Sequence, residues 1–206
     1  MYKRQLIARP YSFVNPPSDP LLEFYFNTVP GGPLSNRLQA LTPGDELQIA
    51  TSPSGFLVLD EVPESRDLWL LATGTAIGPF LSILATQQPW QRFERIVLVH
   101  GVRYQRDLHY RQMLDQFASE HPQQFQWLAL ASRDPDAGAI AGRIPAGITS
   151  GQLEQKTGLL LDAKHSQVMI CGNPEMVKDS IEVLKMRGFE KNLRRSPGQI
   201  TVERYW

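Results

Sequence analysis

The chain has 206 residues, 42% hydrophobic and 20% charged, with 21 Lys+Arg balanced by 21 Asp+Glu. That balance argues against a general nucleic-acid binder, and no apolar run approaches the roughly 20 residues that span a bilayer. The single cysteine, Cys171, excludes an internal disulfide and a cysteine-held cluster or zinc site within the chain, and it suits a reducing cytoplasm.

Met1-Tyr2-Lys3-Arg4-Gln5 is followed by no signal-peptide core. Residues 6–63 then read as short strands broken by turns, and nine of the 16 prolines fall in the first 63 positions. Arg9-Pro10-Tyr11-Ser12 opens this part. On a strand, Arg9 and Tyr11 share one face and Ser12 points to the other. Arginine offers a two-pronged fork to a phosphate, tyrosine a flat face and a hydroxyl, serine a small donor. An edge strand with an exposed arginine reads the same. Leu22–Val29 alternates in part and predicts a strand, which Pro30-Gly31-Gly32-Pro33 breaks. Leu34, Leu38 and Leu41 stand at i, i+4 and i+7, which predicts a short helix. Thr42-Pro43-Gly44-Asp45 is a turn, Glu46–Ala50 alternates as a strand, and Ser54–Leu59 follows. This is an antiparallel β pattern with one helix inserted.

From Glu64 the rhythm becomes β/α. Strands are predicted at Leu68–Ala72, Arg95–His100, Phe125–Ser132 and Gln167–Cys171. Helices are predicted at Pro79–Gln87, Leu108–Ser119 and Pro174–Arg187, the last with Asn173 as N-cap and Gly188 as stop. The tail Gln199–Trp206 reads as one more strand. Such alternation implies a parallel, doubly wound sheet whose ligands sit beyond the C-terminal strand ends.

Those ends carry the chemistry. Thr73-Gly74-Thr75-Ala76-Ile77-Gly78-Pro79 joins a buried strand to a helix. Gly74 permits a positive φ, Gly78 removes a side chain where helix and strand meet, and Pro79 suits a first helical turn. Free N–H groups there favour a diphosphate, although a phosphate-free α/β turn has the same letters. Arg133 and Arg143 are placed to clasp a ribose 2′-phosphate, with two surface arginines as the bland alternative, and Arg103 is a third candidate contact. Arg143 follows Gly138-Ala139-Ile140-Ala141-Gly142, which reads as a flexible approach. Cys171-Gly172-Asn173-Pro174 joins another strand to a helix, and Glu203 and Tyr205 alternate onto one face of the tail. The four histidines have no metal-ligand spacing and read as structural, so no metal is expected. Lys185, Arg187, Lys191, Arg194, Arg195 and Arg204 form a basic cluster, read either as solvated surface or as a docking patch for an acidic partner.

Taken together, R-x-Y-S, the glycine-rich turn with its short helix, T-G-T-A-I-G-P, S-R with a following G-R, C-G-N-P and a terminal V-E-R-Y-W come in one order. In that order the chain resembles the bacterial ferredoxin–NADP(+) reductases, also called flavodoxin reductases, from about Ile7 to Trp206. The resemblance implies two domains. Residues 1–63 would be a small antiparallel β-barrel holding FAD, and residues 64–206 a doubly wound α/β domain holding NADP, with the tail 199–206 returning to the flavin. Family members carry further strands before R-x-Y-S, so the barrel is read as incomplete at its N-terminus. The chain is therefore expected to hold FAD less firmly than one with those strands.

By the same resemblance, Arg9, Pro10, Tyr11, Ser12, Tyr25, Pro33, Leu34, Ser35 and Thr75 would contact FAD, Tyr205 would cover the second flavin face and Trp206 the adenine. Val102, Arg103, Ser132, Arg133, Arg143, Gly172, Asn173, Pro174 and Asp179 would hold NADP. Ser12, Cys171, Glu203 and Tyr205 would stand at the reacting rings. The implied activity is hydride transfer from NADPH to FAD, then single electrons to ferredoxin or flavodoxin, in a cytoplasmic monomer. A reductase serving an oxygenase or free flavin, and a non-catalytic NADP-binding module, are the alternatives.

Overall fold

The computed structural model describes residues 7–52, 54–135 and 138–204. Up to residue 63 the described chain is mostly irregular, with one short helix, α1 (Ser35–Gln39), and a single 3-10 turn at Leu59–Glu61. From Asp67 the elements alternate: β1 (Asp67–Thr73), α2 (Gly78–Leu84), α3 (Gln88–Arg92), β2 (Arg95–Val102), α4 (Arg111–Glu120), β3 (Phe125–Ala131), β4 (Ile140–Ala141), α5 (Ile144–Thr149), α6 (Gln152–Thr157), β5 (Ser166–Gly172), α7 (Pro174–Met186) and β6 (Ile200–Arg204).

The six strands form one parallel sheet in the order β4-β3-β2-β1-β5-β6. The chain runs outward from β1 through β2 and β3 to β4, then returns to the other side of β1. The order therefore reverses between β1 and β5, and a doubly wound sheet opens its ligand crevice at such a reversal. Both sheet faces are covered, which is why its strands are nearly continuous apolar runs. Leu68, Leu70, Ala72, Leu98 and Met169 pack with Phe80, Leu81 and Leu84 of α2 and Leu114 of α4. On the other face Trp69, Leu71, Val97, Val99 and Ile170 pack with Ile148 of α5, Leu153 of α6 and Val177, Ile181 and Leu184 of α7.

The two halves of the chain meet expectation differently. The α/β elements form where predicted, within a few residues. Four pieces went unread: α3, α5, α6 and β4, the last formed by Ile140 and Ala141 pairing with Leu130 and Ala131. The run before Arg143 is thus the sheet's edge strand, not merely a flexible approach. In the first half, Leu22–Val29 and Glu46–Ala50 form no ladder among the described residues. The one antiparallel bridge there joins Phe13 to Phe24, with Val14 N–H donating to Glu23 O at 2.8 Å. A strand needs a neighbour along its length for its backbone groups, and among the described residues these segments gain only that single bridge. The predicted helix shortens to the five residues of α1, because only Leu38 of its three leucines is buried.

Most buried hydrophobic residues of the first half join the α/β core. Val14, Leu57, Leu59 and Val62 belong to the same cluster as Leu68 and Phe80. Polar ties reinforce this. Arg92 donates to the carbonyls of Leu59 (2.6 Å) and Val62 (2.7 Å), Ser82 Oγ donates to Asn15 O (2.9 Å), and Tyr110 Oη donates to Glu23 Oε1 (2.8 Å).

Candidate functional site

The reversal point is built from two turns that interlock. After β1, Gly74 takes φ +56° and the chain makes a 3-10 turn into α2, with Pro79 in the first helical turn. His100, fully buried on β2, accounts for part of this geometry: its Nε2 lies 3.0 Å from Gly74 O. Burial pushes the imidazole down to about 4, so the ring is neutral near pH 7 and Nε2 carries the hydrogen donated to that carbonyl. After β5, Gly172 takes φ +145°, and a Cβ there would sit 2.1 Å from Thr73 Oγ1. That hydroxyl accepts from Asn173 N–H at 3.1 Å, while the Asn173 side chain accepts from Glu175 N–H at 2.9 Å and caps α7 ahead of Pro174. The asparagine N-cap expected from the sequence is thus present.

Register sets the neighbours at this edge. Cys171 pairs with Ala72 on one side and Glu203 on the other. The Cys171 side chain is fully buried in the core beside Ala72 and Met169, and Thr75 is also buried. Glu203 is half-buried, and burial raises its carboxyl above the ordinary 4.5. Tyr205 and Trp206 lie outside the described residues, as does the Arg204 side chain.

The arginines converge along the same edge, one strand further out. Backbone pairing continues past β2 and β3: Ser132 N–H donates to Val102 O (3.1 Å) and Arg133 N–H to Arg103 O (3.0 Å). Gly142 N–H donates to Ala131 O (3.2 Å), which draws Arg143 alongside. Arg103, Ser132, Arg133 and Arg143 are exposed at adjacent strand ends. Among the described residues none of these arginines forms an ion pair. Val102, expected with them, instead packs inward with Leu108, Ala129 and Ala131. Asp179 is exposed on α7, and among the described residues it forms no ion pair with the arginines.

Gly78 brings the first half of the chain to this edge. It is a helix residue whose missing Cβ would lie 3.3 Å from Val14 Cγ2 and 3.9 Å from Ser12 O. The space it leaves is therefore filled by Ser12–Val14, and not by a strand of the sheet as the sequence suggested. Beyond it, Tyr11 packs with Phe24 (centroids 5.4 Å) and edge-on to Phe26 (6.0 Å). Tyr25 alternates to the other face and meets His109 and Tyr110 edge-on. Arg9 is exposed, bonded to its own neighbour Ala8 O at 2.8 Å, and Pro10 is exposed beside it. Ser35 is buried and its Oγ accepts Val29 N–H (3.0 Å); Pro33 is exposed, and Leu34 leads into α1 with no side-chain cap.

The basic cluster divides. Arg187 turns inward to Glu154 (2.6 Å), so it is structural. Lys185, Arg194 and Arg195 are exposed and Lys191 partly so, with the Arg194 guanidinium 5.8 Å from the Phe56 ring centroid. Sequence reading missed His100 as a support of the Gly74 turn, and Tyr104, whose hydroxyl bonds Arg133. Neither belongs to a motif; only the pairing of strand ends reveals them.

The comparisons agree with this geometry. The family model for the oxidoreductase NAD-binding domain matches residues 70–181. The chain is 49% identical over 201 residues to the flavodoxin/ferredoxin–NADP reductase of Escherichia coli, covering 97% of this chain and 81% of that protein. It is 34% identical to the ferredoxin–NADP reductase of Pseudomonas aeruginosa, covering 96% of this chain and 80% of that one. A crystal structure of a ferredoxin NADP+ reductase from Neisseria gonorrhoeae with bound FAD and NADP superposes with a TM-score of 0.90 at 32% identity, over 95% of this chain and 79% of that one. The chain belongs to the flavodoxin/ferredoxin–NADP reductase family. The 95% coverage includes most of the first half, so its course is shared with that relative.

Proposed function

We propose that this chain is an NADPH-dependent flavin oxidoreductase that passes electrons to ferredoxin or flavodoxin. The observation that carries the reading is the meeting, at the sheet's reversal point, of Ser12–Val14 with α2 at Gly78. It sets Ser12 of R-x-Y-S against the start of α2, just past the C-terminal end of β1. The residues present fit a flavin dinucleotide. Arg9 is free of ion pairs among the described residues and keeps donors for a diphosphate, and Tyr11 offers an aromatic surface backed by Phe24 and Phe26.

FAD, when bound, accepts a hydride from NADPH and returns electrons singly to the protein partner. The chain positions and insulates. Arg9 and the turn before α1 hold phosphate, with Pro33, Leu34 and Ser35 shaping that turn. Tyr11 and Ser12 present a flat face and a small donor to the ring, and Thr75 supports it from the second half. Arg103, Ser132, Arg133 and Arg143 bind the 2′-phosphate, which selects NADPH over NADH. Gly172, Asn173 and Pro174 hold a crowded turn beside the nicotinamide's approach, where Cys171 excludes water from below and Glu203 can hold a proton at its carboxylate. Tyr205 and Trp206 complete the reading as covers for flavin and adenine.

A visible absorbance spectrum with added FAD, before and after anaerobic NADPH, tests this. Flavin bands bleached by NADPH support the reading. A chain that binds NADPH but never reduces FAD overturns it in favour of a nucleotide-binding module, the second reading, which the sparse pairing of residues 7–63 favours.

The reading places the enzyme in the cytoplasm as a monomer, with Lys185, Lys191, Arg194 and Arg195 steering an acidic carrier. Arg194→Glu with Arg195→Glu should slow association with flavodoxin about tenfold at low salt; an unchanged rate rejects the patch. No helix among the described residues is long and apolar enough to cross a membrane.

A further inference from the structure

We propose that Tyr104 is a specificity-determining positioning residue that holds Arg133 ready for the nucleotide's 2′-phosphate, and that Arg106 completes the cationic surface around it. The inference rests on the reading that Arg133 binds that phosphate. Tyr104 follows Arg103 just past β2. Its Oη accepts from Arg133 Nη1 at 2.9 Å. Its ring centroid lies 5.5 Å from the Arg133 guanidinium carbon and 4.6 Å from that of Arg106. One aromatic side chain therefore contacts two guanidinium groups.

The ring is fixed from its backbone. Asp107 N–H donates to Tyr104 O (2.9 Å), Tyr104 N–H donates to Asp107 Oδ2 (3.4 Å), and Gln105 N–H donates to Asp134 Oδ1 (2.9 Å). The first two bonds close the loop after β2, and the third ties it to the loop after β3. They also engage the two nearby carboxylates with backbone N–H groups. Among the described residues no ion pair forms to Arg103, Arg106 or Arg133. Three unneutralised cations at one strand edge repel each other; attraction to the electron-rich ring face offsets part of that cost. An anion with two charges relieves the rest.

The physical gain is preorganisation. An exposed arginine loses rotamer freedom on gripping a phosphate, and a prior bond reduces that loss. The tyrosine occupies one of Arg133's N–H donors and leaves the others for the ligand. Its own hydroxyl hydrogen remains to donate toward a phosphate oxygen. A dinucleotide without the 2′-phosphate gains nothing from this arrangement, so the effect falls on discrimination.

The test is calorimetric titration of the full chain with 2′-phospho-AMP and with 5′-AMP. Tyr104→Phe keeps the ring and removes the hydroxyl. It should weaken 2′-phospho-AMP about fivefold and leave 5′-AMP within about twofold. Arg133→Ala should weaken 2′-phospho-AMP about thirtyfold, and adding Tyr104→Phe to it should cost little more, because the two act through one contact. An unchanged Tyr104→Phe affinity, equal losses for both ligands, or full additivity overturns the positioning role while Arg133's own role stands. If Arg133→Ala binds 2′-phospho-AMP normally, the phosphate reading fails and this inference with it.

Discussion

Residues 7–63 and residues 64–204 differ in what holds them. The second region has a six-stranded sheet with both faces covered, and among its described residues the exposed large hydrophobics are Leu160, Met186 and Leu193. The first has, among its described residues, one antiparallel bridge and exposes Leu21, Leu22, Val29, Leu41, Leu47, Ile49 and Val58. Of its five buried hydrophobics, four are buried in the core of the second region. The difference teaches that the α/β half is a scaffold with its own core, while the first half is ordered by docking on it. The arginine edge therefore stands on rigid strand ends, whereas R-x-Y-S depends on the contact at Gly78.

The sharpest way to break this comparison is one leucine from each side. Leu70→Ala, fully buried in β1, should cost about 4 kcal/mol in urea unfolding. Leu22→Ala, 55% exposed, should stay within about 0.5 kcal/mol. Equal effects would mean that the first half has a core of its own.

Gly172→Ala comes next. Its Cβ would meet Thr73 Oγ1 at 2.1 Å on a backbone of φ +145°, so we expect a loss of about 3 kcal/mol. A near-neutral result would show that the β1 and β5 turns are not interlocked.

His100 tests how dry the scaffold is at the site's edge. An imidazole lowered to about 4 in the folded protein and ordinary (6.5) when unfolded binds fewer protons folded than unfolded between those values. Its contribution to stability is complete above 6.5 and is lost as pH falls toward 4, by about 3 kcal/mol in all. NMR should show its ring signals unmoved between about pH 8 and 5.5. Titration near 6.5 would mean that water reaches the Gly74 turn.

The smallest effect is at the seam. Tyr110→Phe deletes the bond to Glu23 and should cost about 1 kcal/mol. It should also speed protease cleavage within the first 63 residues more than within the sheet. Equal acceleration everywhere would make the seam part of one cooperative unit.

Much of this was legible in the sequence. Apolar runs of strand length located β1, β2, β3 and β5, and the N-cap at Asn173 with Gly188 bounded α7, because local periodicity and capping act over a few residues. The short helices α5 and α6 escaped, although Pro145 lies in the first turn of one and Gly151 and Gly158, both at positive φ, bound the other. Six residues are too few for a periodic pattern. In the first half, alternation at Leu22–Val29 and Glu46–Ala50 predicted strands that do not form among the described residues, because a ladder also requires a partner that alternation does not supply.

The sequence by itself determined the class of sheet, the edge at which a ligand must lie, and the family, since these follow from element order and motif order. Tertiary structure alone decided which residues meet there. Register placed Glu203 beside Cys171, strand-end pairing set Arg133 against Arg103 and Tyr104, and His100 came under Gly74. Each of these contacts joins separate elements of the fold, and only packing closes that distance.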